Sequence, residues 1–118
     1  MAKVLVVDDD TPLREMLAST VEMFGYEAAQ AGSIQEALEE LKQGPIDLVM
    51  LDVKLPDADR HLGLERIRVV YPQLKVIMVT GYKSVETAAE AAKLGASGYI
   101  VKPFKAEEIL ETVKKNLK

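Results

Sequence analysis

Short apolar runs alternate along the chain with stretches of helical period. The first run is Val4-Leu5-Val6-Val7, closed by Asp8-Asp9-Asp10. Continuous branched residues of this length predict a strand buried on both faces. Thr11-Pro12 then reads as a helix cap followed by proline at the first helical position. Leu13, Met16, Leu17, Val21 and Phe24 recur at helical spacing, and Gly25 is placed to stop that helix. A weaker strand is expected over Tyr26 to Ala31. Ser33 and Glu36 have capping-box spacing ahead of Ala37, Leu38 and Leu41, and Gly44-Pro45 ends that unit. The third run, Leu48 to Leu51, ends in Asp52. A loop with Pro56 follows, then a helix carrying Ile67, Val70 and Tyr71 that Pro72 terminates. The fourth run, Val76 to Val79, ends at Thr80. Ser84 is placed to cap an alanine-rich helix running to Gly95. The fifth run, Tyr99-Ile100-Val101, ends at Lys102-Pro103, and the final helix places Ile109, Leu110, Val113 and Leu117 on one face.

Strict alternation of strand and helix predicts an α/β fold with a parallel sheet covered by helices on both faces. The crossovers should be right-handed. Five such units in 118 residues predict one domain, residues 1–118. The expected form is a doubly wound, flavodoxin-like three-layer (βα)5 sandwich with strand order 2-1-3-4-5. In that order the topological switch point lies between the first and third strands. Ligands in such sheets bind beyond the carboxyl ends of the strands at that point.

Composition narrows the function. The chain is 48% hydrophobic and 29% charged, with a formal net charge of -4. A general nucleic-acid binder is usually basic, because phosphate neutralisation dominates its affinity, so no direct nucleic-acid contact is expected. Cysteine is absent, which removes disulfides and thiolate metal sites. No apolar run approaches bilayer length, and the start of the chain does not read as a signal peptide. A cytoplasmic protein without membrane contact is expected.

The chemistry gathers at the strand ends. Asp8 and Asp9 close the first strand, Asp52 the third, Thr80 the fourth and Lys102 the fifth. The fold alone should bring three carboxylates, a hydroxyl and an ammonium to one edge. Carboxylates crowded in a small cleft repel unless a cation or proton intervenes. An oxygen-rich, sulfur-free site suits Mg²⁺, which keeps several waters and commonly holds a phosphate as well. The turn Asp8-Asp9-Asp10-Thr11-Pro12 contains no glycine, so neither a dinucleotide fingerprint nor a P-loop is present. A covalent or transient phosphate fits better than a bound nucleotide.

Val7-Asp8-Asp9-Asp10, Leu51-Asp52-Val53-Lys54-Leu55-Pro56, Val79-Thr80-Gly81 and Val101-Lys102-Pro103-Phe104 together resemble the four signature blocks of response regulator receiver domains. They occur in the family's order and spacing, and the resemblance spans nearly the whole chain. It implies that Asp52 is the nucleophile accepting a phosphoryl group from a histidine kinase or a phosphotransfer protein. Mg²⁺ would be held by Asp9, Asp52 and the backbone carbonyl of Lys54, with Asp8 assisting directly or through water. Lys102 would pair with a phosphoryl oxygen, and the Lys102-Pro103 peptide would be cis. Thr80 and Tyr99 would be the switch pair, remodelling the surface of the fourth helix, fifth strand and fifth helix. An output domain or effector protein, and dimerisation on phosphorylation, are further implications. Such a domain is a signalling module that catalyses its own phosphorylation and dephosphorylation, not an enzyme with a free substrate. Phosphatases with an aspartate nucleophile form the rival class. They carry a second aspartate two residues on, where this chain has Lys54. A third reading is a degenerate receiver that binds partners without being phosphorylated.

The chain departs from the pattern after Pro56. Arg60 stands where the family has glycine, and Gly63 falls in the expected first turn of the third helix. Arginine is poor at positive φ, and helical glycine costs about 1 kcal/mol against alanine. An irregular loop or a late helix start is therefore expected. Lys105 precedes the last helix, where a side-chain acceptor would be usual. Lys54 sets a cation at the site mouth and is expected to affect hydrolysis. Met50 and Met78 read as core fillers, and His61, the single histidine, as an exposed loop side chain.

Overall fold

The computed structural model describes residues 2–58, 62–81 and 85–117, with side chains of the last segment from residue 88. Its elements are β1 (Lys3–Val7), α1 (Thr11–Met23), β2 (Glu27–Ala31), α2 (Ile34–Gln43), β3 (Leu48–Leu51), α3 (Leu62–Val70), β4 (Lys75–Thr80), α4 (Val85–Lys93), β5 (Gly98–Val101) and α5 (Ala106–Asn116). The strands form one five-stranded sheet in the order β2-β1-β3-β4-β5, and every pairing is parallel. The expected doubly wound sandwich is what forms.

Side-chain alternation divides the core in two. Val4, Val6, Leu48, Met50, Ile77, Val79 and Ile100 pack with Leu17, Val21, Ile109 and Val113 from α1 and α5. Leu5, Val7, Val49, Leu51, Val76 and Met78 pack with Ile34, Leu41, Leu64, Ile67 and Ala91 from α2, α3 and α4. β1 and β3 are sealed on both faces by these layers. This accounts for their unbroken apolar runs.

The caps of α2 and α5 fall where the sequence places them, and that of α1 does not. The cap of α1 is Asp10 rather than Thr11: its carboxylate accepts from the Leu13 amide at 3.2 Å. Met16 is 44% exposed despite its helical spacing. At α2, Ser33 Oγ accepts from the Glu36 amide at 3.2 Å, as capping-box spacing requires. The Glu36 carboxylate reaches one residue further back, to the Gly32 amide. In α3 the buried face is Gly63, Leu64 and Ile67, and Val70 is 57% exposed. Ile67 and Tyr71 pack on the core as expected, on the same face as Leu64, and only Val70 turns outward. The cap of α5 lacks a side-chain acceptor at Lys105, and Glu108 compensates by accepting from the Lys105 amide at 3.2 Å. Arg60, His61 and Ser84 lie outside the described residues.

Candidate functional site

The alternation that divides the core also aims the site. Asp8 continues the Val4-Val6 side of β1, Asp52 the Leu48-Met50 side of β3, and Lys102 the Ile100 side of β5. All three belong to the α1–α5 face, just beyond the sheet's carboxyl edge. Lys102 Nζ lies 3.1 Å from Asp8 Oδ2 and 3.3 Å from Asp52 Oδ2. Asp8 and Asp52 are buried, while Asp9 is exposed beside them. One carboxylate oxygen from each of Asp8, Asp9 and Asp52 falls within 4.8 Å of the others.

Backbone contacts fix these side chains. The Asp8 amide donates to the Ala31 carbonyl and the Asp52 amide to the Val7 carbonyl, extending the ladder one residue past the strands. Asp8 Oδ1 accepts from the Asp10 amide at 2.9 Å, which folds the acidic turn back on itself. Arg14 donates to the Asp8 carbonyl at 3.0 Å and to Gln30 at 3.1 Å, tying α1 to the ends of β1 and β2. Asp52 Oδ1 accepts from the Lys54 amide at 3.3 Å. The Lys102-Pro103 peptide is cis.

Burial pushes the Asp52 carboxyl up, and repulsion from Asp8 adds to it; Lys102 and the Lys54 amide oppose this without cancelling it. Burial also works against the Lys102 ammonium, but Asp52 and Asp8 outweigh it and hold its proton above the ordinary lysine range. Among the described residues, the three carboxylates of this cluster share the one ammonium of Lys102, a formal deficit of two positive charges within the cluster. An all-oxygen donor set with that deficit fits a hard dication such as Mg²⁺.

A cleft of about 350 Å³ opens over these groups, lined by Asp52, Lys54, Thr80, Gly81 and Lys102. Thr80 is buried at the end of β4. It lies on the opposite side-chain alternation from Asp52, that of Met78. Tyr99 on β5 is half-buried against the α2–α3–α4 layer, and burial pushes its phenol up. Every expected site residue thus lies at the carboxyl edge or on the strand leading to it.

Two residues escaped the sequence reading. Asp57 reaches across to α2: its carboxylate accepts from the Ile34 amide at 2.9 Å and the Gln35 amide at 3.0 Å. Arg68 donates to the carbonyls of Tyr71, Leu74, Leu94 and Gly95, joining the ends of α3 and α4. The Asp57 bonds to α2 and the Arg68 bonds to Leu94 and Gly95 have no local sequence signal, since they reach groups twenty-two to twenty-seven residues away.

The chain matches the response regulator receiver domain family model over residues 4–114. It is 43% identical over 95% of its length to the response regulator protein FleR of Pseudomonas aeruginosa, of which it covers 24%. It is 36% identical over 98% of its length to the sporulation initiation phosphotransferase F of Bacillus subtilis, covering 93% of that protein. Among solved structures, a CheY-like receiver domain protein from Methanospirillum hungatei superposes with a TM-score of 0.92 at 35% identity, covering 99% of this chain and 94% of the other. The chain is therefore a response regulator receiver domain, a module of two-component signalling with the flavodoxin-like fold. It spans about a quarter of the length of several curated relatives it matches. Among the described residues, no helix is long and apolar enough to cross a membrane.

Proposed function

We propose that the chain is a cytoplasmic phosphoacceptor, and that Asp52 takes a phosphoryl group from a phosphohistidine on a histidine kinase or phosphotransfer protein. The supporting observation is the convergence of buried Asp52 and Asp8 on Lys102, with Asp9 alongside. In the transfer, a carboxylate oxygen of Asp52 bonds to phosphorus as the phosphorus–nitrogen bond breaks. The histidine departs with the bonding electrons and takes a proton from solvent. Return of the phosphoryl group to water regenerates the carboxylate. Asp9, Asp52 and the Lys54 backbone carbonyl would hold Mg²⁺, with Asp8 contributing directly or through water. Bound there, Mg²⁺ offsets charge on the phosphoryl oxygens, where electrostatics supply most of the catalysis.

Lys102 pairs with a phosphoryl oxygen as a compact point charge. The Thr80 hydroxyl donates to another phosphoryl oxygen, and Tyr99 turns inward as Thr80 moves. The altered surface is α4, β5 and α5, which engages an output domain, an effector protein or a second copy of the chain. This is a local charge event biasing a two-state element. The chain processes its own phosphoryl group and turns over no free substrate.

Intact mass after incubation with acetyl phosphate tests this reading. The expected result is a Mg²⁺-dependent gain of one phosphoryl group in the wild type and none in Asp52→Asn. No gain in either protein, with or without Mg²⁺, would favour the degenerate receiver.

A further inference from the structure

The loop after Asp52 is held at two places. Its turn closes on itself, with the Leu55 amide donating to Ala58 at 3.1 Å and the Ala58 amide to Leu55 at 3.3 Å. Leu55 and Ala58 are buried, so Pro56 and Asp57 project from this bridge at the exposed tip. The Asp57 carboxylate then spans to the start of α2, one oxygen on the Ile34 amide and the other on the Gln35 amide. With Ser33 on the Glu36 amide, all three first-turn donors of α2 are satisfied. A local capping residue would supply such bonds without spanning twenty-two residues of chain. These two therefore fasten the loop to the helix as much as they cap the helix.

Packing reinforces the fastening. Ile34 is fully buried, and its Cδ1 sits 3.3 Å from where a Cβ on Gly63 would lie. Leu55 Cδ1 is 3.7 Å from the same point. The α2 start, the Leu55 turn and the first turn of α3 thus form one packed unit. The Lys54 backbone enters that unit directly, with only Leu55 and Pro56 between it and Asp57.

We propose that Asp57 is a positioning residue for metal binding: by fastening the turn to α2, it fixes the Lys54 carbonyl for Mg²⁺. This rests on the proposed metal reading of the site. Outer groups that orient a ligand typically alter metal affinity about 10- to 100-fold when removed. Linkage makes the effect reciprocal: if the Asp57 bonds favour the metal, the metal must favour those bonds.

Two measurements on the intact chain test this. Calorimetric Mg²⁺ titration should give a dissociation constant raised about tenfold in Asp57→Ala. Ser33→Ala removes a neighbouring cap of the same helix and should leave the constant essentially unchanged, although both variants lower Tm. Amide exchange of Ile34 and Gln35 in the wild type should slow when Mg²⁺ is added, by a factor comparable with the loss in Asp57→Ala. The exchange arm needs no variant, and Asp57→Asn serves if the alanine variant fails to fold. Equal Mg²⁺ affinity in wild type and Asp57 variant, or Mg²⁺-insensitive exchange at Ile34 and Gln35, would overturn the assignment. A wild type that binds no Mg²⁺ at all would overturn the metal reading, and this inference with it.

Discussion

Lys102 and Asp52, fifty residues apart in the chain, meet at 3.3 Å beyond the carboxyl edge of the sheet. The same ammonium reaches Asp8 at 3.1 Å, so one cation restrains two buried carboxylates. Replacing it with methionine keeps the aliphatic stem and deletes the charge. Lys102→Met should slow Mg²⁺-dependent phosphorylation by acetyl phosphate about 10²- to 10³-fold, the usual loss for one preorganised charge-stabilising group. It should also lower stability in metal-free buffer by about 1–2 kcal/mol, discounted for the partial exposure of the ammonium. Rate assays and chemical denaturation in chelator check the two arms separately.

Asp52 titrates in the opposite sense from a carboxylate in a favourable ion pair. Its carboxyl is raised in the folded protein by burial and by Asp8, so the folded state binds the proton more tightly than the unfolded one. The Asp52 charge therefore destabilises. That cost is absent below the ordinary carboxylate range and grows as pH rises through the folded value. In metal-free buffer, Asp52→Asn should melt several degrees above the wild type at neutral pH, and the gap should close toward pH 4. Added Mg²⁺ should raise the wild-type Tm and affect the variant less. Equal melting at neutral pH in chelator would contradict this.

Arg68 binds four carbonyl oxygens at the ends of α3 and α4, at distances such as 3.0 Å to Leu94 and 2.7 Å to Gly95. Burial pulls its guanidinium below the ordinary arginine range, but it stays charged at any pH the protein survives. Lysine has neither the fork nor the reach to serve both helices. Arg68→Lys should cost about 2 kcal/mol, the range of charged hydrogen bonds lost at partly buried acceptors. Urea denaturation measures it. Phosphorylation by acetyl phosphate should be unchanged, since the guanidinium lies at the opposite end of β4 from Thr80.

Gly63 carries a packing constraint and no φ constraint, because it is an ordinary helical residue against Ile34. A larger side chain must displace a buried neighbour. Gly63→Val should destabilise by about 1–3 kcal/mol through overpacking. Ile34→Val removes the atom in the way, so the double variant should recover part of that loss. A double-mutant cycle with no coupling between the two sites would refute this.

Much of the fold was legible in the chain. Four apolar runs and one weaker strand segment, each closed by a polar residue or glycine, specify strands and helices by local periodicity, and parallel pairing follows from strict alternation. The site was legible for a related reason. Asp8, Asp52 and Lys102 each follow directly on an apolar run, and a parallel sheet gathers all such positions at one edge. Boundaries were less accessible. Thr11 was one residue late as the α1 cap, because Asp10 offers an equally good acceptor and local spacing does not separate them.

The sequence alone determined the element order, the two-sided burial of β1 and β3, and which residue types would converge at the carboxyl edge. These depend on side-chain period and connectivity, both written along the chain. Only the tertiary structure decided that Asp57 would cap a helix lying before it, that Arg68 would join two helix ends, and that Gly63 would make room for Ile34. Each of these depends on where separate elements come to rest against one another. The energy there comes from distances between groups remote in sequence, and no local pattern encodes those distances.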